Sequence, residues 1–329
     1  MRIGVVGKGG SGKTTITSLL ATYFSLKNTQ KEIAVIDADL NSHLNTALNI
    51  EFDKTPIGER IEELTQYVHN GRCDICVTKM IGTTPPNHTS MFIQVHSNDP
   101  IFKSFFVKKD NILFTKVGNY SKEDIGSNCY HSKLNSLEIL LHHLIDKKDE
   151  IVLIDSTAGS DILGTSLFMS YDVLFFIVEP TLKSIQVCND FVQKLLEENS
   201  NLTNICIIGN KIIDNDDDEF IKNQLSKNKH LQGSKLFTFS QNKKFRSIEQ
   251  GQNISLKEIV EEYKNTLTSI DEYIEQLESK KWNNYLQKLV ELHTKISKSW
   301  YNDYYGEDIS NVDLSKFSYE KIVFDEEEK

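Results

Sequence analysis

The stretch GKGGSGKT, residues 7–14, fits the phosphate-loop pattern G-x-x-x-x-G-K-[ST], and the interpretation of the other segments starts from it. Its glycines let backbone N–H groups approach phosphate oxygens, an approach that a Cβ would obstruct. An apolar run, IGVV, precedes the loop and a helix-forming stretch follows it, so the positive end of that helix faces the anion. Strand, loop and helix together predict a nucleotide-binding site.

Two side chains of the loop carry the predicted chemistry. Lys13 is expected to reach the β and γ phosphates of the nucleotide, and the hydroxyl group of Thr14 is expected to bind Mg²⁺. The residues predicted to bind the nucleotide are Gly7, Gly9, Gly10, Ser11, Gly12, Lys13, Thr14 and Thr15.

Short apolar runs alternate with helical patterns along most of the chain. Because most of these runs are continuously apolar, they are typical of strands buried on both faces of a parallel sheet. The predicted fold is therefore a doubly wound, mostly parallel α/β sheet. The predicted strands are 2–6, 32–37, 111–117, 150–155, 172–178, 203–208 and 235–239, and the predicted helices between them are 13–26, 133–145, 184–198 and 217–227.

Aspartates follow or end two of the predicted strands. Asp37 and Asp39 come at the end of EIAVIDAD, and Asp155 ends EIVLID. A carboxylate at the carboxyl end of a strand faces the nucleotide crevice of such a sheet. Asp155 is expected to support Mg²⁺ through water, and Gly159 completes a D-x-x-x-G segment whose backbone N–H group would sense the γ-phosphate.

Lys8, directly after the first glycine, makes the loop more specific. KGGSGKTT resembles the deviant Walker A motif of the MinD/ParA class of P-loop ATPases. The resemblance implies a SIMIBI (MinD-like) P-loop fold and an ATP-dependent homodimer in which Lys8 reaches the partner subunit's phosphates. It implies that Asp39 orients the attacking water. It further implies that Asn210 contacts the adenine, that Lys211 beside it belongs to the nucleotide site, and that Pro180, within VEPT, edges the nucleotide pocket.

A more particular resemblance covers about residues 1–265. The run from Gly118 to Lys211, including KKDEIVLID and DVLFFIVEPTLKSI, is similar to the CooC group, the nickel-inserting maturation ATPases of carbon monoxide dehydrogenase. The resemblance implies a Cys-x-Cys pair that holds one metal between two subunits. Here the segment is Cys129-Tyr130-His131, so each subunit would supply one thiolate and one imidazole to Ni²⁺ or Zn²⁺. The alternative is that this metal site has been lost and Cys129 is an ordinary loop thiol.

The other cysteines and one histidine pair allow further interpretations. Cys73-x-x-Cys76 is half of a zinc site that needs a second copy, or two cysteines at helical spacing on a core face. Cys188 and Cys206 fall in a helix and a strand and are predicted to be small buried hydrophobes. The adjacent histidines His142–His143 face apart on a helix and are predicted to lie on the surface without chelating a metal.

The chain is expected to divide into a P-loop ATPase domain, residues 1–265, and a helical extension with an acidic tail, residues 266–329. Apolar residues at steps of three and four predict amphipathic helices over 256–277 and 282–300. Two roles stay open for these helices. They pack on the core of the same chain, or they dock a partner or second subunit with Trp282 and Trp300 as anchors.

Composition narrows the class of protein. The 329 residues hold 37 Lys and Arg and 47 Asp and Glu, and the net charge of −10 argues against nucleic-acid binding as the main task. Five cysteines make a disulfide framework improbable. No apolar run is long enough to span a membrane, the acidic tail argues against membrane targeting, and a cytoplasmic location is expected.

The sequence therefore predicts an ATP-binding and ATP-hydrolysing dimeric switch, with a metallocentre maturation role suggested by the CooC resemblance and a protein as client. Two alternatives remain open. One is a ParA-type ATPase that positions or regulates a protein partner. The other is a nucleotide-binding regulator that has no metal role.

Overall fold

A computed structural model describes residues 1–120, 130–147, 149–159, 161–197, 204–250, 252, 254–278, 282–302, 306–320 and 322. The strands are β1 Arg2–Gly7, β2 Ile33–Asp37, β3 Ile93–Gln94, β4 Val107–Lys109, β5 Ile112–Lys116, β6 Leu144–Ile145, β7 Val152–Ala158, β8 Val173–Val178, β9 Asn204–Ile212 and β10 Leu236–Ser240. The α-helices are α1 Lys13–Lys27, α2 Leu44–Ala47, α3 Ile61–His69, α4 Pro100–Phe105, α5 Tyr130–His143, α6 Leu167–Ser170, α7 Leu182–Glu197, α8 Asn215–Leu225, α9 Lys243–Glu249, α10 Leu256–Glu262, α11 Lys264–Gln276 and α12 Trp282–Ile296.

In the described part of the chain, eight strands form one sheet in the order β10-β9-β8-β1-β7-β2-β5-β4. Every neighbouring pair runs parallel except β4 and β5. The predicted doubly wound, mostly parallel α/β fold is confirmed. The strands are continuously apolar because both faces of the sheet are covered, so alternate side chains enter two separate cores.

One core lies between the sheet and helices α1, α10 and α11, and we call this side the α1 face. The other lies between the sheet and helices α3, α5, α7 and α12, and we call it the α5 face. Within β8, Phe175 belongs to the α1 face and its neighbour Phe176 to the α5 face, and both are fully buried. This alternation is the period-two geometry of a strand.

Helix α11 spans the expected boundary at residues 265 and 266. Leu267 and Ile270 are fully buried in the core of the α1 face. On the surface of that face, Lys27 at the end of α1 pairs with Asp271 and, at 2.9 Å, with Glu275. The apolar stripe predicted as one helix over 256–277 is two helices, because the first ends at Glu262 and the second begins at Lys264.

Helix α12 packs on the opposite face, beside the first strand. The Arg2 guanidinium group donates to the carbonyl oxygens of Leu141 and Leu144 at 2.7 and 2.6 Å and lies 5.3 Å from the Trp282 ring centroid. Tyr319, further along, donates its hydroxyl hydrogen to the carbonyl oxygen of His142 at 2.6 Å. Trp282 is only 9 % exposed, so it anchors the extension to its own core and the partner-anchor interpretation of Trp282 is wrong.

The predicted surface position of the histidine pair is also wrong. His142 and His143 are both fully buried, because α12 and residues 306–320 cover the helix that carries them. His142 bonds to the hydroxyl groups of Tyr285 and, at 2.8 Å, Ser166. Burial lowers the pKa of His143 to about 3, and its Nδ1 lies 2.8 Å from the carbonyl oxygen of Ile139.

The four cysteines that the structure describes divide into an exposed pair and a buried pair. Cys73 and Cys76 lie in an exposed irregular segment after α3, so the prediction that they share a helical core face is wrong. Cys188 and Cys206 are buried, as predicted for small hydrophobes. Over the residues described, no helix has the length and apolar character needed to cross a membrane.

Candidate nucleotide site

The candidate site lies where the carboxyl ends of three adjacent central strands meet. β1 runs into the phosphate loop, and its neighbour β7 carries Asp155. β2 lies on the other side of β7, and Asp37 is in register with Asp155. Residues far apart in sequence therefore converge because the strand order is β1-β7-β2, which is the edge at which open α/β sheets bind ligands.

The loop itself requires glycine at two positions. Gly10 and Gly12 have φ values of +79° and +96°, a conformation that residues with a Cβ rarely adopt. A Cβ on Gly12 would lie 2.2 Å from Nδ2 of Asn210. That same amide nitrogen donates to the carbonyl oxygen of Ser11 at 2.8 Å. The end of β9 thus fixes the backbone of the loop.

The phosphate loop and β7 are joined through one carboxylate. Thr14 donates its hydroxyl hydrogen to Oδ2 of Asp155 at 2.7 Å, and Thr17 reaches Oδ1 of Asp155 at 3.3 Å. Asp155 is fully buried. This is the pairing expected when a loop hydroxyl group and a strand-end carboxylate support the same Mg²⁺ ion.

The buried carboxylates Asp37 and Asp155 both have a raised pKa. Burial, followed by the charge of Asp37, raises the pKa of Asp155, since both effects disfavour the ionised form. Burial also raises the pKa of Asp37, although this carboxylate accepts hydrogen bonds from Ser42 at 3.1 Å and from the Leu44 backbone at 3.0 Å. The site therefore concentrates negative charge that a cation would stabilise.

Lys13 lies within the same group. Its Nζ is 3.3 Å from Oδ2 of Asp39, and its side chain is 5 % exposed. The two residues predicted to bind phosphate and to orient water are therefore neighbours, and the lysine is held in a low-dielectric setting where its charge acts strongly.

Glu179 links the two remaining lysines and was missed by the sequence analysis. Its Oε1 is 2.6 Å from Nζ of Lys211, and its Oε2 is 3.3 Å from Nζ of Lys8. Lys211 also donates to the carbonyl oxygen of Gly10 at 2.6 Å. The sequence signal was present in the VEPT segment, but only the pairing of β8 with β1 brings it to the loop.

The other predicted residues lie at the same edge. Pro180 follows β8 and is partly exposed beside Glu179, and Thr15 lies in the first turn of α1. Gly9 is exposed at the loop tip. Gly159 donates its N–H group to the carbonyl oxygen of Gly7 at 3.0 Å, so the segment after Asp155 contacts the loop directly.

The residues present fit a nucleotide with Mg²⁺. In the part of the chain that the structure describes, the buried hydroxyl groups of Ser11 and Thr157 have no hydrogen-bond partner. Both residues lie in the segments that the sequence assigns to phosphate recognition. Buried hydroxyl groups normally find a partner, so these two are suited to phosphate or metal-bound oxygens.

The transition-metal prediction concerns Cys129 and His131. Cys129 lies outside the described residues, and so does the side chain of His131, whose backbone belongs to α5. Among the residues described, no three His, Cys, Asp or Glu side chains form a group suited to a metal.

The family comparison agrees with this geometry. The profile of the CobQ/CobB/MinD/ParA nucleotide binding domain matches residues 4–256, which include the loop, all three aspartates and Asn210. The chain belongs to this family. The matched range ends at α10, so α11 and α12 follow it.

Curated relatives agree with the assignment. The chain is 32 % identical over 225 residues to an uncharacterised ATP-binding protein of Methanocaldococcus jannaschii, covering 68 % of this chain and 79 % of that one. It is 27 % identical over 212 residues to the carbon monoxide dehydrogenase accessory protein CooC of Rhodospirillum rubrum, covering 64 % of this chain and 74 % of that one.

Solved structures share the fold of this MinD/ParA-family protein. An ATP complex of Cyanothece McdA matches with a TM-score of 0.54 and 14 % identity, over 85 % of this chain and 98 % of that one. A plasmid partition protein of Borrelia burgdorferi bound to AMPPNP matches with a TM-score of 0.52 and 18 % identity, over 83 % and 99 %.

Proposed function

We propose that this MinD/ParA-family protein hydrolyses ATP and uses the reaction to switch between an open form and a closed homodimer. The observation that carries the proposal is the meeting of Lys13, Thr14, Asp39 and Asp155 at the end of three adjacent strands, within hydrogen-bond or ion-pair distance. A purely structural ion-pair network gains nothing from a glycine loop and two partnerless hydroxyl groups beside it.

Each residue has a defined task in this reaction. Lys13 and the loop N–H groups bind the phosphates of ATP and neutralise charge on the transferring phosphoryl group. Thr14 and Asp155 would hold Mg²⁺, which supplies Lewis-acid stabilisation of the same charge. When ATP is bound, Lys13 leaves its ion pair with Asp39 and binds phosphate instead. Asp39 is then free to accept a hydrogen bond from the attacking water and to orient it.

The switch requires a difference in affinity between two states. A nucleotide that bound the open and closed forms equally would shift neither, so ATP must make contacts in the closed form that ADP does not. Lys8 supports such a difference, because a lysine at the loop tip can reach the γ-phosphate bound by a second subunit. Asn210 and Lys211, which already touch the loop backbone, would contact the base.

Phosphate release with purified protein tests the hydrolysis. We expect Mg²⁺-dependent turnover, and we expect Lys13→Ala to lower it at least about 100-fold, the scale of removing one preorganised charge donor. Lys31→Ala is the matched control, since Lys31 is an exposed lysine paired with Asp149. If Lys13→Ala releases phosphate as fast as wild type, the release does not come from this site. The protein is then a nucleotide-binding regulator without turnover.

We further propose that the switch serves maturation of a metallocentre in a client protein. Two points support this: the similarity to CooC, and the Cys129-x-His131 pair that each subunit would contribute. Two thiolates and two imidazoles form a tetrahedral set that suits Zn²⁺ or Ni²⁺. The metal is then a cargo, taken up in one nucleotide state and released in the other.

Equilibrium dialysis with Ni²⁺ and with Zn²⁺ tests this role. We expect one metal ion per dimer in wild-type protein and none in Cys129→Ala, with affinity falling at low pH because the thiol must lose its proton. His230→Ala is the control, since His230 is an exposed possible ligand outside both cysteine segments. Equal metal binding in wild type and Cys129→Ala would eliminate the metal role and leave the ATPase switch intact.

A further inference from the structure

One carboxylate at the nucleotide edge holds two lysines. Glu179 lies between Lys211, at 2.6 Å, and Lys8, at 3.3 Å, and its side chain is 14 % exposed. Burial acts to raise the pKa of Glu179, but the ammonium groups of Lys211 and Lys8 outweigh it and lower that pKa. The carboxylate is therefore ionised and attracts both cations.

The backbone around Glu179 is also fixed. Its N–H group donates to the hydroxyl group of Ser184 at 2.9 Å, which ties the turn after β8 to the start of α7. Lys211 has a φ of +62°, an uncommon conformation for a residue with a side chain, and this directs it back toward the loop. Because the backbone of Glu179 is already fixed, its carboxylate can pair with a lysine without the loss of further backbone conformational entropy.

We infer that Glu179 is a positioning residue that keeps Lys8 within its own subunit and opposes the contact of Lys8 with the partner subunit's nucleotide. The inference rests on the proposed function, in which Lys8 acts across the dimer. In the open form the Lys8–Glu179 pair competes with that contact, and Lys8 must leave Glu179 before the closed dimer forms.

The two distances from Glu179 indicate which of its lysines leaves when the dimer forms. Lys211 takes the shorter contact and also donates to Gly10, so it remains on Glu179 when Lys8 leaves. The carboxylate therefore keeps one partner in either form, and release of Lys8 does not leave a half-buried charge unpaired. Lys8, at the longer distance and 27 % exposed, is the partner that can move.

Dimerisation provides the first test. Sedimentation or light scattering with a slowly hydrolysed ATP analogue and Mg²⁺ measures the monomer–dimer dissociation constant. We expect Glu179→Gln to lower this constant about threefold, the scale of one partly exposed ion pair. Asp216→Asn is the matched control, because it removes one exposed negative charge near the same edge without touching a lysine of the loop.

The second test reads Lys8 in the nucleotide-free protein. Amine acetylation followed by peptide mass spectrometry gives the labelling rate of Lys8 relative to that of Lys183, which is exposed. We expect Glu179→Gln to raise the relative rate about threefold, since a released lysine is more accessible. If circular dichroism shows that Glu179→Gln misfolds, Glu179→Asp replaces it, because one methylene fewer withdraws the carboxylate from Lys8.

The outcomes separate the two proposals. If wild-type protein never dimerises with the analogue, the dimeric switch fails, and the labelling rate alone still decides whether Glu179 holds Lys8. If wild type dimerises but Glu179→Gln matches Asp216→Asn, or the labelling rate does not change, the inference about Glu179 is wrong.

Discussion

Thr14 and Asp155 share a hydrogen bond of 2.7 Å although 141 positions separate them in the sequence. The bond joins the first turn of α1 to the middle of β7, and its acceptor is a fully buried carboxylate beside a second one. Such an arrangement is costly for folding and useful for a cation, so one substitution should change stability and activity in opposite directions.

Asp155→Asn should stabilise the nucleotide-free protein and weaken its Mg²⁺-dependent binding of ATP. Removing a buried charge that faces Asp37 is expected to raise the free energy of unfolding by about 1 kcal/mol. The Mg²⁺-dependent part of ATP affinity should fall at least about tenfold. Urea unfolding and ATP titration with and without Mg²⁺ measure the two effects. A less stable Asp155→Asn protein would contradict the argument, and Asp149→Asn, at an exposed site, serves as control.

Asn210→Ala separates a base contact from a loop contact. In the structure its side-chain amide donates a hydrogen bond to the Ser11 carbonyl oxygen. Loss of this bond should weaken the binding of every nucleotide by about 1 kcal/mol. If Asn210 also reads adenine, affinity for ATP should fall further than affinity for GTP. Titration of both nucleotides against wild type and variant gives the ratio. An unchanged ATP to GTP ratio would assign Asn210 to the loop alone.

The contribution of two buried histidines to stability should fall as the pH falls below about 6.5. Burial lowers the pKa of His143 to about 3 and that of His293 to about 4, whereas both groups titrate near 6.5 in the unfolded chain. Between these values the unfolded state binds more protons than the folded state. The contribution of each histidine to the free energy of unfolding therefore decreases with falling pH, by up to about 1.4 kcal/mol per pH unit.

Urea unfolding at pH 7.5 and pH 5.5 measures this slope. We expect His293→Gln to reduce the difference between the two pH values, because one buried histidine no longer takes up a proton on unfolding. The exposed His230→Gln should keep the wild-type difference. A slope that is the same in all three proteins would show that the buried histidines do not govern acid stability.

The C-terminal helix should contribute to the stability of the nucleotide-binding domain. Trp282→Ala removes a buried ring that contacts Arg2, so the free energy of unfolding should drop by about 3 kcal/mol in a single transition. Denaturant unfolding followed by circular dichroism measures it. Leu182→Ala is the control, since Leu182 is 67 % exposed. Two separate transitions would mean that the extension folds independently.

The features predicted well are those encoded by short local patterns. The phosphate loop, the apolar strands and the helices after them follow from neighbouring residues, since glycine spacing and hydrophobic periodicity act within one turn or strand. Asp155 was found because it ends a strand of unbroken apolar residues. Its partnership with Asp37 was not, because strand order rather than sequence decides which carboxylates are adjacent.

The features predicted poorly depend on coverage by distant segments. The sequence predicts His142 and His143 at the surface, but α5 is covered by α12 and by residues 306–320. Cys73 and Cys76 have helical spacing, yet α3 ends at His69 before reaching them. Glu179 needed the pairing of β8 with β1, which the sequence does not specify.

The cover over Arg2 has a consequence for synthesis of the chain. Arg2 opens the strand that leads into the phosphate loop, yet Trp282, which lies against its guanidinium group, is among the last described residues to leave the ribosome. Until Trp282 is in place, one side of the Arg2 guanidinium group stays uncovered. Strand β1, the first to be synthesised, is therefore among the last to be fully enclosed. The strand that leads into the phosphate loop is thus fully enclosed only after translation has passed α12, and we expect chains truncated before it to be targets of cellular quality control.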